Sequence, residues 1–252
     1  MDCISFDVGT RRLGVACAHV SPTDFRVLHW DVWDVPAMAG VELDINETTI
    51  EDLVPLFVRA LPAALDAAIA ACPTPPRAFI ETQPMHMVRF QGGKASSVSN
   101  TKTKCLQHVL QVLLLQRGVA VSFVSPSLKL RGQRKQKQGG QATAQYKDNK
   151  EYAIVRAHEL AAGGPRYAWF AALTKLQGRA DAADALVQAY EAALDALGAQ
   201  DKARKRLARE AASVSASVKP KTKKPKRSSA AVATDTSLAL ERYAQETEAM
   251  FK

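Results

Sequence analysis

From residue 2 onward apolar and polar positions alternate, the period of a strand with one buried face. Ile4, Phe6 and Val8 fall on one side, and Cys3, Ser5 and Asp7 on the other. Gly9 to Arg12 make a tight turn into a second strand, residues 13 to 20, and residues 26 to 35 make a third. The chain therefore opens as an antiparallel three-strand meander. The period then lengthens. Leu53, Leu56, Phe57, Leu61, Leu65 and Ile69 keep helical spacing up to the Cys72-Pro73 break, behind a capping box of Thr48 and Glu51, and Pro62 is expected to kink or split this helix.

Residues 77 to 81 read as a short buried strand ending in Glu81. Residues 82 to 99 read as a glycine- and serine-rich loop carrying Met85, Met87, Val88 and Phe90, apolar groups among basic ones that suit a partner surface. Asn100 is placed to cap a helix to about Gln116, closed by Gly118, and residues 119 to 124 form a fifth strand. Strand, helix, strand in that order implies parallel pairing. Residues 129 to 150 hold seven Lys/Arg against one Asp and no apolar period, as in a mobile basic loop. Helices follow at about 147 to 162, 165 to 176 and 179 to 198.

Beyond Ala199 the pattern decays into a charged helical run, a proline-broken lysine cluster at 219 to 227, and a short helix from about Thr236. The expected organisation is a folded α/β domain over residues 1 to 198 and a basic, largely disordered tail over 199 to 252.

Charge sharpens this division. The net charge is +9, yet residues 201 to 227 hold eleven Lys/Arg against two acids, so most of the excess lies in the tail. A polyanionic partner fits it. Such lysine clusters resemble nuclear-localisation signals and also bind DNA phosphates, so the expected location is intracellular and soluble, at a nucleus or a viral replication site. No run of about 18 apolar residues and no basic, apolar leader is present, and no membrane partner is expected. Cys3, Cys17, Cys72 and Cys105 are scattered without CxxC spacing, which excludes a zinc knuckle and a disulfide framework as organising features.

The chemistry concentrates on acids. Asp181 and Asp184, three residues apart among alanines, share one helix face, where each raises the other's pKa unless a cation lies between them. Asp7 near the end of an apolar strand and Glu81 at the end of another are costly to bury unless paired or metal-bound. The order β-β-β-α-β-α-β with a late helix is the ribonuclease-H-like layout: a five-stranded mixed sheet, three antiparallel strands then parallel ones, flanked by helices. In that layout the four carboxylates converge, and oxygen ligands in that number suit Mg²⁺ or Mn²⁺.

Five pieces now stand in one order: Ile4-Ser-Phe-Asp7-Val-Gly9-Thr-Arg-Arg-Leu-Gly14, Phe79-Ile-Glu81-Thr-Gln83-Pro84, Ser125-Pro126-Ser-Leu-Lys129, Lys147-Asp-Asn-Lys150 and Asp181-Ala-Ala-Asp184-Ala185. Together they resemble the RuvC-like Holliday-junction resolvases, in particular the poxvirus-type and fungal-mitochondrial branch. The resemblance covers about residues 1 to 198; the basic tail lies outside it.

The resemblance implies a metal-dependent endonuclease that resolves four-way DNA junctions by paired symmetric nicks leaving 5′ phosphate and 3′ hydroxyl. It implies Asp7, Glu81, Asp181 and Asp184 as ligands of two Mg²⁺ or Mn²⁺ ions per active site, Lys129 as a catalytic lysine, and no small-molecule cofactor. For DNA contact the candidates are Met87, Arg89, Phe90 and Lys94 after Glu81, Lys102 and Lys104 at the next helix start, and Arg131, Arg134, Lys135, Lys137, Lys147 and Lys150 in the basic stretch. Met87 or Phe90 is the candidate wedge at the junction centre. A homodimer matches the two-fold symmetry of the junction, with the helix at 101 to 116 as its interface.

Three other functions share parts of this pattern. A ribonuclease-H-like nuclease on other branched DNA or on RNA-DNA hybrid needs the same acids. An actin-like ATPase shares Asp7-Val-Gly9-Thr10, yet the later Gly-Gly pairs at 139 and 163 follow no hairpin pattern. A non-catalytic DNA-binding protein would be expected to have lost an acid, and all four are present.

Overall fold

A computed structural model describes residues 1–44, 47–83, 86–91, 94–131 and 142–217. The chain divides into two compact units, Met1–Lys205 and Arg206–Lys252; of the second, residues 206–217 are described and are helical.

The opening meander forms as the alternation predicts. Strands β1 (Asp2–Val8), β2 (Arg12–Val20) and β3 (Phe25–Asp34) pair antiparallel, with Phe6 opposite Val15 and Asp7 opposite Gly14. A one-turn helix, α1 (Val35–Met38), follows, capped by Asp34. Helix α2 (Ile50–Ala70) leads to β4 (Arg77–Glu81), which joins β1 in parallel. After β4 come β5 (His86–Gln91), β6 (Lys94–Ser99), helix α3 (Thr101–Leu115) and β7 (Ala120–Val124). β7 pairs in parallel with β4, so the central sheet has the order β3-β2-β1-β4-β7. A 3-10 turn (Pro126–Leu130) and helices α4 (Ala142–Ala161), α5 (Tyr167–Ala172) and α6 (Arg179–Ser217) complete the described elements. This is the expected five-stranded mixed sheet flanked by helices.

Each face of the sheet has its own core. Ile4, Phe6, Val8, Leu13, Val15, Ala78 and Ile80 pack under α2 and α3, against Leu53, Phe57, Leu61, Leu65, Leu106 and Leu110. Each valine, leucine, isoleucine or phenylalanine among them contributes about 1.5 to 3 kcal/mol when taken out of water. α2 is long and apolar enough to cross a membrane by length and composition, at a mean hydropathy of 1.7, but here its inner face covers the sheet. On the opposite face Cys3, Ala16, Ala18, Trp30 and Phe79 pack under α4, α5 and α6. The α6 surface that meets them is mostly alanine: Ala182, Ala183, Ala185, Ala189, Ala192 and Ala193 are all buried. Small side chains let the helix lie close to the strands. Because residues alternate across a strand, Asp7 and Glu81 project to this α6 side.

Several local expectations change. The capping box lies one residue later: Asp52 N–H donates to Thr49 Oγ1, and Thr49 N–H donates to Asp52 Oδ2. Thr48 is instead buried, its hydroxyl donating to Asp44 O at 2.6 Å. α2 spans Pro62 as one helix, because its tertiary face outweighs one lost backbone bond. Asn100 precedes α3 but makes no cap bond; its Nδ2 donates to Gln83 Oε1 at 3.4 Å.

The expected loop at 82 to 99 contains an antiparallel hairpin, β5 paired with β6 from His86 opposite Ser99 to Gln91 opposite Lys94. Within the basic stretch 129 to 150, the described residues from Ala142 onward belong to α4. α6 does not end near 198 but runs to Ser217. Alanine, lysine, arginine and glutamate hold helical geometry after the apolar period has faded.

Candidate active site

The structure brings four sequence-predicted acids together. Asp7 is the penultimate residue of β1, Glu81 ends β4, and Asp181 and Asp184 occupy the first turns of α6. Asp184 is nearly buried, while Asp181 stays about a third exposed. Their gathering depends on one close approach of helix to strand. A Cβ on Gly14, the residue paired with Asp7, would lie 2.0 Å from the backbone oxygen of Asp181, so no other residue fits there without moving α6. Trp30 Nε1 donates to Ala182 O at 2.8 Å and fixes the same turn from β3. Gly178, at φ +83°, turns the chain into α6, and a Cβ there would meet Val32 Cγ1 at 2.8 Å.

The strand end is held as firmly. Thr82 N–H donates to Val124 O at 2.8 Å, and Gln83 N–H donates to the buried Gln107 Oε1 of α3 at 2.9 Å. Gln188, one turn along α6 from Asp184, is buried at the centre of the arrangement. Its Nε2 donates to Ser5 Oγ at 2.8 Å and lies 3.3 Å from Phe6 O and 3.4 Å from Phe79 O. One amide thus ties together the three elements that carry the acids.

Two lysines enter the cluster. Lys129, on the 3-10 turn after β7, places Nζ 2.6 Å from Glu81 Oε2, 3.1 Å from Asp184 Oδ2 and 3.7 Å from Asp7 Oδ1. Lys150 of α4 pairs with the same Asp184 Oδ2 and stands 4.0 Å from Asp181 Oδ1. Sequence reasoning assigned Lys150 to DNA contact, where the basic stretch runs into the next predicted helix. The structure puts it on a helix, inside the acid cluster.

Burial opposes the charge of Lys129, but Asp7, Asp184 and Glu81 outweigh it and raise its pKa above the ordinary lysine value. The same balance, led by burial and overturned by Asp184 and Asp7, raises Lys150. Burial pushes Glu81 up to about 7, with Lys129 pulling down and Asp7 pushing up. Asp181 rises to about 6, again chiefly by burial and next by Asp7.

Four carboxylates against two ammoniums leave an acidic surplus. Among the described residues, no three His, Cys, Asp or Glu side chains are grouped to hold one ion as they stand; the acids are arranged around the two ammoniums instead. The donor set nonetheless fits a divalent cation. All four candidates offer hard oxygens, and Glu81 Oε2 and Asp184 Oδ2 already face positive charge from the two lysines.

The remaining candidates are spread more widely. Arg131 is half exposed, its Nη2 donating to Asp195 Oδ1 at 3.0 Å, so it is tied to α6. Lys102 and Lys104 are partly buried in the first turn of α3. Met87, Arg89, Phe90 and Lys94 belong to the β5-β6 hairpin and Lys147 to α4, with side chains outside the described structure; Arg134, Lys135 and Lys137 lie outside the described residues. Sequence reasoning missed Gly14, Trp30 and Gln188. The available signal for Gln188 was one polar residue four positions after Asp184 in an otherwise apolar run.

No family model matches the chain, and no curated protein matches it. Among solved structures it is similar to Thermus thermophilus RuvC, at 16% identity over 77% of this chain and 97% of that one, with a TM-score of 0.47. It is also similar to T. thermophilus RuvC in complex with a Holliday junction substrate (17% identity, 77% and 96% covered, TM-score 0.44). A third is Fowlpox virus resolvase with its substrate Holliday junction DNA (13% identity, 73% and 93% covered, TM-score 0.40). The ribonuclease-H-like layout is carried by the chain's own sheet order and by the helix whose first turns meet the ends of β1 and β4.

Proposed function

We propose that this chain is a divalent-cation-dependent endonuclease that resolves four-way DNA junctions by paired nicks. The observation that carries the chemistry is the convergence of Asp7, Glu81, Asp181 and Asp184 with Lys129 and Lys150 where β1, β4 and α6 meet. Acids alone would repel a phosphodiester. Acids interleaved with ammoniums hold one, once cations are bound.

In this reading the four carboxylates hold Mg²⁺ or Mn²⁺, two ions per site. When bound, the ions supply Lewis acidity toward water, the phosphate and the leaving oxygen. Lys129 and Lys150 place positive charge beside the acids, where it offsets the negative charge that builds on the phosphoryl oxygens. Water adds to phosphorus, the bond to O3′ breaks, and that oxygen takes up a proton. A 5′ phosphate and a 3′ hydroxyl remain.

The resemblance carried by the five motifs in their order supports a four-way substrate, and the basic stretches suit its phosphates. Two symmetric nicks call for two sites, and the outer face of α3 supports a homodimer: Val112 and Leu115 there are each more than half exposed, beside Phe123 on the edge strand β7.

The test is a panel of synthetic four-way junction, flap, RNA-DNA hybrid and linear duplex, each with Mg²⁺ or EDTA. Junction nicking that needs Mg²⁺ and disappears in Asp7→Asn and Asp184→Asn is the expected result. Preference for the hybrid would reassign the substrate and keep the chemistry; undiminished cleavage by either variant would remove the site.

A further inference from the structure

The turn between β1 and β2 holds a second cluster of charge. Gly9 N–H donates to Arg12 O at 2.9 Å, closing a two-residue tip of Thr10 and Arg11. A Cβ on Gly9 would stand 2.7 Å from that same oxygen, so the tight form of the turn requires glycine. Gly9, Thr10, Arg11 and Arg12, with the acids Asp7 and Asp181, line a cavity of about 250 Å³.

Both arginines lean on one carboxylate. Asp34 Oδ2 is 3.0 Å from Arg11 Nε and 3.7 Å from Arg12 Nε. Asp34 is itself fixed, since its Oδ1 accepts from Ala37 N–H at 3.3 Å, and Val35 N–H donates to Arg11 O at 3.0 Å. Asp34 offsets one of the two guanidinium charges, and the other faces Asp7 and Asp181 on the same cavity wall, acids that Lys129 and Lys150 already offset in part. Arg11 hydrogen-bonds Asp34 through Nε, Arg12 stands at ion-pair distance from it, and neither places an Nη in a hydrogen bond to a described residue. Planar forks held from one edge are prepared for bidentate contact with an oxyanion on the other.

Size narrows the ligand. Small-molecule sites usually run to roughly 300 to 1,000 Å³, so a cavity below that range suits a single group better than a whole nucleotide. Position narrows it further, because Asp7 and Asp181 belong both to this cavity and to the acid cluster. We propose that the cavity binds the DNA phosphate next to the scissile one, with Arg11 and Arg12 as its ligands and Asp34 as the residue that positions them. This assignment rests on the endonuclease reading and adds to it a strand-registering contact.

The test measures binding without catalysis. Junction affinity is read by fluorescence anisotropy in EDTA over a salt series, for the wild-type chain, Arg11→Ala/Arg12→Ala and Arg11→Lys/Arg12→Lys, on DNA with or without a neutral methylphosphonate beside the cleavage position. The alanine pair is expected to bind about tenfold more weakly, with the slope of log K against log salt smaller by about 0.9 for each phosphate that is no longer neutralised. The methylphosphonate should weaken the wild-type chain about as much and the alanine pair hardly at all. The lysine pair should recover the salt slope but only part of the affinity, which separates loss of charge from loss of fold.

Equal methylphosphonate penalties in the wild-type chain and the alanine pair would overturn the assignment. So would an unchanged salt slope. A wild-type chain that never nicks DNA would sink the endonuclease reading, and the salt slope in EDTA would still judge the cavity as a phosphate site.

Discussion

Gln188 Nε2 lies 2.8 Å from Ser5 Oγ, across 183 positions of chain, with the carbonyls of Phe6 and Phe79 within 3.4 Å. Ser5 and Phe6 directly precede Asp7, Phe79 stands two residues before Glu81, and Gln188 is one turn beyond Asp184. The spacing of three acid-bearing elements therefore depends on one buried amide. Gln188→Leu removes its donors and leaves Ser5 Oγ buried without this partner, at a stability loss of about 1 to 3 kcal/mol. Single-turnover nicking should fall about tenfold or more while junction affinity in EDTA stays within about twofold. Equal losses of binding and nicking would mark Gln188 as a merely structural residue.

Gly14 offers a sharper geometric test. A methyl group at 2.0 Å from Asp181 O has no room, so Gly14→Ala must push α6 away from β2. Overpacking of this kind costs about 1 to 3 kcal/mol. Because the displaced turn carries two of the four acids, nicking should fall by far more than thermal stability explains, about a hundredfold. Chemical denaturation and nicking rates on the same sample check this.

Lys129 and Lys150 make the cluster foldable without a metal. Lys129 is largely buried among Asp7, Glu81 and Asp184, and removing one member of a buried ion pair costs about 3 to 5 kcal/mol. Lys129→Met should therefore melt well below the wild-type chain in EDTA, and Mg²⁺ should restore much of the difference, since the cation replaces the lost charge. A melting temperature unmoved by Mg²⁺ in that variant would argue against cation binding by these acids.

Far from the site, Asp2 sets a pH limit on the fold. Burial alone would raise its pKa, but hydrogen bonds from Thr74, reinforced by His19 at 2.7 Å, hold it below the ordinary 3.8. Its ionised form is thus favoured in the folded state. That stabilisation is complete above the unfolded value and is lost as pH falls through the lower folded value. Thermal melts from pH 6 to pH 2 should show Asp2→Asn less stable than the wild-type chain near neutrality, with the gap closing in the acid limb.

Asp7 was legible because the strand period assigned it a face, and Asp184 because two acids stood in an alanine run. The sheet order followed from counting elements. Contacts made across the fold were not legible. Lys150 looks like one of seven cations in a polar stretch until α4 packs beside α6. Gly14 looks like an ordinary strand glycine until Asp181, 167 residues later, lies against it. The β5-β6 hairpin was hidden because serines and glycines dilute the strand period, and the tail end of α6 because helix propensity persisted where amphipathicity had faded.

The acids at positions 7, 81, 181 and 184 lie on elements separated by most of the domain. During synthesis, β1 and β4 leave the ribosome long before α6, and bringing such distant segments together is the slow part of folding. The acid cluster therefore forms only when α6 docks. A nascent chain, or one truncated before residue 184, already carries basic segments yet, on the endonuclease proposal, lacks the site that would cut DNA.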